Sequence, residues 1–222
     1  MDIHLLYNDR HFLICEKPVG VHSESDGLPL LLKEQENLIV YPVHRLDSVT
    51  GGACLLAKTR EACSKLQDMF HSGMMEKEYL AVVSGKPDML SGTYTDFLYH
   101  HAASNKTFVV KKQRRGVKKA LCDWQVLQSS DISGQLMSLV RIHLHTGRTH
   151  QIRVQFSSRR MPVVGDQKYG SRVKAKAPAL WSVKLSFPHP FEAGRHVEAL
   201  SFPPRAFPWS CFDIGSFYQR NG

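Results

Sequence analysis

His44-Arg45-Leu46-Asp47-Ser48-Val49-Thr50-Gly51-Gly52 and, further along, His145-Thr146-Gly147-Arg148-Thr149-His150-Gln151-Ile152-Arg153 are the two stretches on which the reading of this chain turns. The first sets a single carboxylate, Asp47, beside Arg45 and His44; the second carries two arginines and no acid. A nearby cation favours the ionised form of a carboxylate, and an ionised carboxylate can act as a nucleophile or a base. Arg148, ahead of a helix start, suits a phosphate, while Arg153, one turn in, can point toward a carboxylate. Taken singly, Asp47 reads equally well as the cap of a turn or a surface partner of Arg45, and the arginines as solvated cations. Together the stretches amount to equipment for covalent or acid–base chemistry on a polyanion.

Charge outside these stretches supports a polyanionic partner. The chain has 222 residues and a net charge of +9. Residues 101–176 hold sixteen Lys/Arg against three acids (Asp123, Asp131, Asp166), which leaves +13 there and −4 elsewhere. Such sign separation favours phosphate-bearing partners and speeds their encounter. The run from Lys106 to Lys119 has seven Lys/Arg in fourteen residues and no acid, interrupted by Phe108 and Gly116. It is expected to form a hairpin or loop that grips phosphates through Lys111, Lys112, Arg114, Arg115, Lys118 and Lys119. Phosphate contacts position a nucleic acid without reading it.

An apolar content of 42% argues against disorder, and no apolar run is long enough to span a bilayer. The N-terminus lacks the pattern of a signal peptide. The five cysteines are scattered, odd in number and without a CxxC pair, so they read as reduced, mostly buried thiols of a cytoplasmic protein. His143, His145 and His150 show no familiar ligand spacing and read as core or RNA-facing; no metal is expected. His44-Arg45-Leu46-Asp47 differs from a kinase catalytic loop by one position and lacks its companion motifs. Gly51-Gly52 lacks the Lys-Ser/Thr that completes a phosphate loop.

The element order reads as α+β with mainly antiparallel strands. Ile3–Tyr7 and His11–Glu16 read as a hairpin, broken by Lys17-Pro18-Val19-Gly20. Leu28–Glu36 reads as a short helix, Tyr41–Asp47 as a loop ended by Gly51-Gly52, and Ala53–Lys58 as a buried strand. Thr59 caps a helix over 60–72 stopped by Gly73. Glu78–Ser84, Thr93–Tyr99, Thr107–Lys111, Leu121–Gln128 and Leu136–Leu144 follow as strands. Thr149 is then expected to cap a helix reaching about Arg160, before strands at Trp181–Phe187 and His196–Ser201. Ile39, Val40, Leu55, Leu56, Val82, Val83, Leu139, Val140, Ile142, Ile152 and Phe156 are the expected core, with Trp124 and Trp181; Trp209 is expected to pack back on the domain.

The two opening stretches resemble the signature of RluA-type pseudouridine synthases, an HRLDxxTSG-like motif followed by a TGRxHQIRxH-like one. Lys17-Pro18-Val19-Gly20 is similar to that family's KPxG. Lys77-Glu78-Tyr79-Leu80-Ala81-Val82-Val83-Ser84-Gly85 is similar to its KxYxAxVxG strand, and Gly165-Asp166-Gln167-Lys168-Tyr169-Gly170 to its GDxxYG turn. The five motifs occur in the family's order. The resemblance implies a mixed, mainly antiparallel sheet bent into two lobes with flanking helices, a single catalytic domain over residues 1–222 without an S4 domain, and an active-site cleft between the lobes.

By position, the resemblance makes Asp47 the catalytic carboxylate, Tyr79 the ring under the target base and Arg153 the partner that keeps Asp47 charged. It makes Arg45 the side chain that fills the gap left by a flipped base. His44, Lys77, Arg148, Thr149 and His150 are the accompanying substrate-binding residues. These types fit the chemistry. Exchanging an N1–C1′ bond for a C5–C1′ bond requires the uracil to leave its stack, and an extruded base needs a π-face to rest on. No cofactor is implied. The implied substrate is ribosomal or transfer RNA; the oligomeric state is left open by the sequence, with a monomer as the default expectation. The sequence departs from the family pattern at Gly51, where serine is usual, and at Gln155, where histidine is common. A non-catalytic RNA-binding or RNA-folding protein on the same fold is the second reading; a small phosphotransferase or hydrolase acting on nucleotides is a more distant third.

Overall fold

A computed structural model describes residues 2–24 and 26–218. The chain divides into two compact units, the first holding the residues up to Glu78 together with Trp181–Pro203, the second Tyr79–Leu180 together with the residues from Pro204 on.

The first unit is organised by β4 (Gly51–Ala57), every residue of which is buried. An unbroken apolar run such as Ala53-Cys54-Leu55-Leu56-Ala57 suits a strand covered on both faces. β2 (Phe12–Lys17) pairs with it antiparallel, from Phe12 opposite Ala57 to Lys17 opposite Gly52. β1 (Leu5–Asn8) completes the expected hairpin with β2. β10 (Leu180–Pro188) runs parallel to β4 at Gly51 and Gly52, β11 (His196–Leu200) lies antiparallel on β10, and the two-residue β3 (Tyr41–Pro42) also pairs with β4. One face of this sheet, including Phe12, Leu55, Leu185 and Phe187, is covered by Ala62, Leu66 and Met69 of helix α2 (Arg60–Ser72). Those residues recur at helical spacing. The Thr59 hydroxyl caps α2 by accepting from the Ala62 amide at 3.1 Å, an interaction worth about 1 kcal/mol. Gly73 ends it at φ 83°. Helix α1 (Leu28–Glu36) buries Leu28 and Leu32 and stops at Asn37 in the left-handed region.

Two expectations change in this unit. Gly51 and Gly52 open β4 rather than end the loop before it. A Cβ on Gly51 would lie 2.2 Å from the Trp181 ring, and one on Gly52 2.2 Å from the Ser182 carbonyl oxygen. The ring is held in place, its Nε1–H donating to the Ser201 carbonyl at 3.1 Å. Glycine at the family's serine position is therefore what allows β10 to lie against β4. Ile39 is 66% exposed where Val40 is 6% exposed, because alternate residues of an extended segment face opposite ways.

The second unit is an antiparallel sheet in the order β7–β6–β8–β9, formed by β6 (Ser91–His101), β7 (Lys106–Val110), β8 (Val117–Ile132) and β9 (Gln135–Leu144). Ser133 and Gly134, both at positive φ, join β8 to β9 in the two-residue turn whose twist matches that of the strands. β8 runs past its expected end at Gln128, since its backbone ladder with β9 carries the polar Ser129-Ser130-Asp131 along. β5 (Glu76–Ser84) contains the boundary between the units. Helix α3 (Gln151–Ser157) buries Gln151 through Phe156. Phe156 and Trp124 each lie about Tyr94, with ring centroids 5.1 Å from it. In the tail, Trp209 is 7% exposed, as expected.

Helix α3 is shorter than its sequence implies and Thr149 does not cap it. The capping position falls on His150 at φ 55°. No side chain caps it; Gln151 instead fastens the turn before the helix, its Oε1 accepting from the Arg148 amide at 3.1 Å and from the Thr146 hydroxyl at 2.8 Å. The Thr149 carbonyl meanwhile accepts from the Thr107 hydroxyl at 2.9 Å.

A Cβ at position 51 should be costly because of the Trp181 ring. Gly51→Ala is expected to lower unfolding stability by about 2 kcal/mol, and the cost should shrink in a Trp181→Leu background. A urea-melt double-mutant cycle measures this; equal cost in both backgrounds would remove the ring as the cause.

Candidate active site

Asp47 is half-buried on the loop between β3 and β4, which is fastened from three sides. The Lys17 side chain, fully buried, donates from Nζ to the carbonyls of Pro18 at 2.9 Å, Val21 at 2.7 Å and Ser48 at 3.4 Å. Burial pushes the Lys17 ammonium down to about 8, against the opposing influence of the Cys54 and Asp47 side chains. Gly20, at φ 91°, donates its amide to the Ser48 carbonyl at 2.7 Å. Ser23 Oγ accepts from the Leu46 amide at 3.0 Å and donates to the Leu46 carbonyl at 3.2 Å. The Thr50 amide closes a turn on the Asp47 carbonyl at 2.9 Å. Lys17-Pro18-Val19-Gly20 thus breaks the β2 strand and also anchors the loop that carries the carboxylate.

His44 is a supporting member of this loop. It accepts the Leu55 amide on Nε2 at 3.1 Å and stacks on Phe70 at 4.8 Å between centroids. Burial brings its imidazole down to about 4, and the Lys77 charge adds to this. Lys77 is buried too, its Nζ 4.2 Å from the Phe70 centroid, and burial lowers its pKa. Arg45 is exposed and paired with Glu24 at 2.7 Å, an exchangeable surface contact worth little.

In the second unit Arg153 is buried on α3 and clamps Asp166 with two parallel bonds, Nε to Oδ2 at 2.6 Å and Nη2 to Oδ1 at 2.9 Å. Its guanidinium carbon lies 5.0 Å from the Tyr169 centroid. The Tyr169 hydroxyl accepts from the Thr107 amide at 2.8 Å and shares a hydrogen bond of 2.8 Å with His150 Nδ1. The Asp166 carbonyl accepts the Tyr169 and Ser171 amides. Gly165 is at φ 83°, and a Cβ there would lie 2.5 Å from the Ala177 carbonyl oxygen. The turn at 165–170 therefore supplies the counter-charge that orients Arg153. The motif resemblance covers this turn without assigning a role to Asp166 or Tyr169. The available signal was that Asp166 is one of three acids in the strongly basic 101–176 stretch.

Tyr79 is buried on β5. Arg148 is exposed and donates from Nε to the Lys119 carbonyl at 3.1 Å; Thr149 is half-buried. Gln155 is fully satisfied in the place of the family's histidine, its Nε2 donating to Asp96 at 2.8 Å and its Oε1 accepting from Cys122 Sγ at 3.4 Å. His145 is bonded to Asp123 at 2.6 Å. Lys111, Lys112, Arg114, Arg115, Lys118 and Lys119 are all exposed, on the β7–β8 loop and the start of β8. No helix among the described residues is long and apolar enough to cross a membrane.

Two outcomes follow from these buried charges. Asp166→Asn removes the carboxylate that Arg153 clamps in the interior and should cost about 3 kcal/mol in urea unfolding; a change below about 0.5 kcal/mol would assign the charge balance elsewhere. His44 bonds Leu55 through an unprotonated Nε2 and has a lowered pKa in the fold. The unfolded chain thus binds the extra proton first, and native stability falls as pH drops from about 6.5 to about 4. His44→Gln keeps an acceptor without titrating, so its melting temperature should fall less across that window.

The family model described as RNA pseudouridylate synthase matches residues 11–158. The Bacillus subtilis protein YhcT, described as an uncharacterized RNA pseudouridine synthase, is 31% identical over 217 residues, covering 91% of this chain and 69% of its own length. Ribosomal large subunit pseudouridine synthase D of Pseudomonas aeruginosa is 31% identical over 185 residues, covering 78% of this chain and 55% of its own. Against two further bacterial relatives the chain spans 62% and 60% of their length. Among solved structures, human RNA pseudouridylate synthase domain containing 1 shares the fold, with a TM-score of 0.81 at 24% identity over 98% of this chain and 94% of that one. A family match that encloses Asp47, Tyr79 and Arg153 shows that the chain belongs to the RNA pseudouridylate synthase family, on its RluA-type branch.

Proposed function

We propose that this chain isomerises uridine in structured RNA, ribosomal or transfer, to pseudouridine, with Asp47 as the reacting carboxylate. The observation that carries the reading is the family match over residues 11–158, and the three-sided fastening of the Asp47 loop supports it. In the reaction the N1–C1′ bond breaks, the uracil turns, and a C5–C1′ bond forms. C5 gives up its hydrogen as a proton and N1 takes one up, so no oxidant or reductant enters. Asp47 must be ionised to act at the sugar or the base. Arg153 is the cation we assign to it on its place in the family motif; its clamp on Asp166 fixes the guanidinium's orientation. Tyr79 is the ring we assign to the extruded base. Arg45 would exchange Glu24 for the gap left in the RNA. The 31% identity to a protein named for the large ribosomal subunit favours ribosomal RNA, and the cytoplasm is the compartment we assign with that substrate.

Tritium release from RNA labelled at uridine C5 tests the reading, because forming the C5–C1′ bond expels that hydrogen. Purified protein should release tritium from ribosomal or transfer RNA transcripts, and Asp47→Ala should reduce the rate at least ~10³-fold, the scale on which loss of a reacting group acts. Release unaffected by Asp47→Ala would overturn the assignment of the carboxylate. RNA binding without release from either class would favour the non-catalytic reading.

A further inference from the structure

The solvent side of the second unit's sheet has no part in the chemistry above. Residues directly opposite in an antiparallel ladder share a face. Tyr99 pairs with Phe108 across β6 and β7, and Phe97 pairs with Val110 on one side and Lys119 on the other. Phe97, Tyr99 and Phe108 therefore stand on one side of three-strand sheet β7–β6–β8, with Lys119 among them. The opposite side carries Leu98 and Ala120 into the core. Phe108 is 43% exposed, and Phe97 and Tyr99 are half-buried. Cations lie at the rings: Lys106 Nζ is 5.8 Å from the Phe108 centroid and the Arg114 guanidinium 5.6 Å from that of Tyr99.

Lysines on an edge strand block its pairing with other chains, but that does not account for a large aromatic ring left in water beside them. An apolar patch alone would fit a protein partner. Here Phe108 and Tyr99 each have a cation at the ring, Lys119 pairs opposite Phe97, and the run from Lys106 to Lys119 carries seven Lys/Arg and no acid, so charge complementarity selects a polyanion that also has π-faces to offer. Bases inside a duplex have their faces covered by neighbours, whereas unpaired bases can splay onto aromatic side chains. We propose that this face is a stacking platform for an unpaired stretch of RNA, with Phe108 and Tyr99 under successive bases and Lys106, Arg114 and Lys119 along the phosphates. The proposal rests on the reading of RNA as substrate and adds which part of that RNA the enzyme holds outside the reaction site.

The probe is an unstructured cytidine RNA of roughly 12 nucleotides, which contains no uridine to react, titrated against the full chain. Phe108→Ala, an exposed change, should weaken binding about tenfold, the scale of one lost stack, with Phe108→Trp restoring it. The slope of log Kd against log salt should stay as in the wild type for Phe108→Ala and become shallower by about 0.7 for Lys119→Ala. Asp47→Ala should bind the oligomer as the wild type does. Wild-type affinity in Phe108→Ala, or a duplex of equal length that binds as tightly as the single strand, would overturn the platform. Tritium release together with Phe108-independent binding rejects the platform and leaves the isomerase. Phe108-dependent binding without release from any RNA does the reverse.

Discussion

A buried ammonium holds the first unit's Asp47 loop in shape. Lys17 Nζ binds the carbonyls of Pro18, Val21 and Ser48, joining the end of β2 to the residue after Asp47. An ammonium taken out of water is costly unless its protons are satisfied. The three carbonyls satisfy them, and in return their own positions are set by one point of attachment. Proline and glycine in the same turn have matching reasons: Pro18 cannot continue the β2 ladder, and Gly20 takes the positive φ from which its amide reaches Ser48.

The second unit solves a related problem with the opposite arrangement. Arg153 would be as costly in the interior as Lys17, and its planar fork calls for a carboxylate rather than a ring of carbonyls. Asp166 provides it, bidentate and buried. The turn that presents Asp166 also presents Tyr169, whose hydroxyl ties Thr107 of β7 to His150 at the head of α3. A seven-residue helix has little stability of its own; these ties and the Gln151 side chain fix where it begins.

The glycine in place of the family's serine shows how a local departure is settled by a distant residue. Nothing near position 51 in the chain calls for glycine in a strand, where it is usually unfavourable. The reason lies at Trp181, whose ring occupies the space a Cβ would need. Gln155 is similar: its three hydrogen-bonding partners come from β6 and β8, so its suitability could be judged only once those strands were in place.

Hydrophobic period, caps and breakers are local properties, and by themselves they determined the α+β class, the β1–β2 hairpin, α1, the Thr59-capped α2, most strands and a core of which only Ile39 lies outside. The ordered motifs likewise determined the family and singled out Asp47, Tyr79 and Arg153. Tertiary structure decided what depends on groups far apart in the chain: that Arg153 is clamped by Asp166, that Lys17 anchors the Asp47 loop from across more than thirty residues of chain, that Thr107 holds the Thr149 carbonyl while the capping position of α3 falls on His150, and that Phe108 shares an open face with Tyr99. Burial and pairing across strands set these, because a charge or ring is stabilised by what surrounds it in space, and sequence spacing carries no record of that.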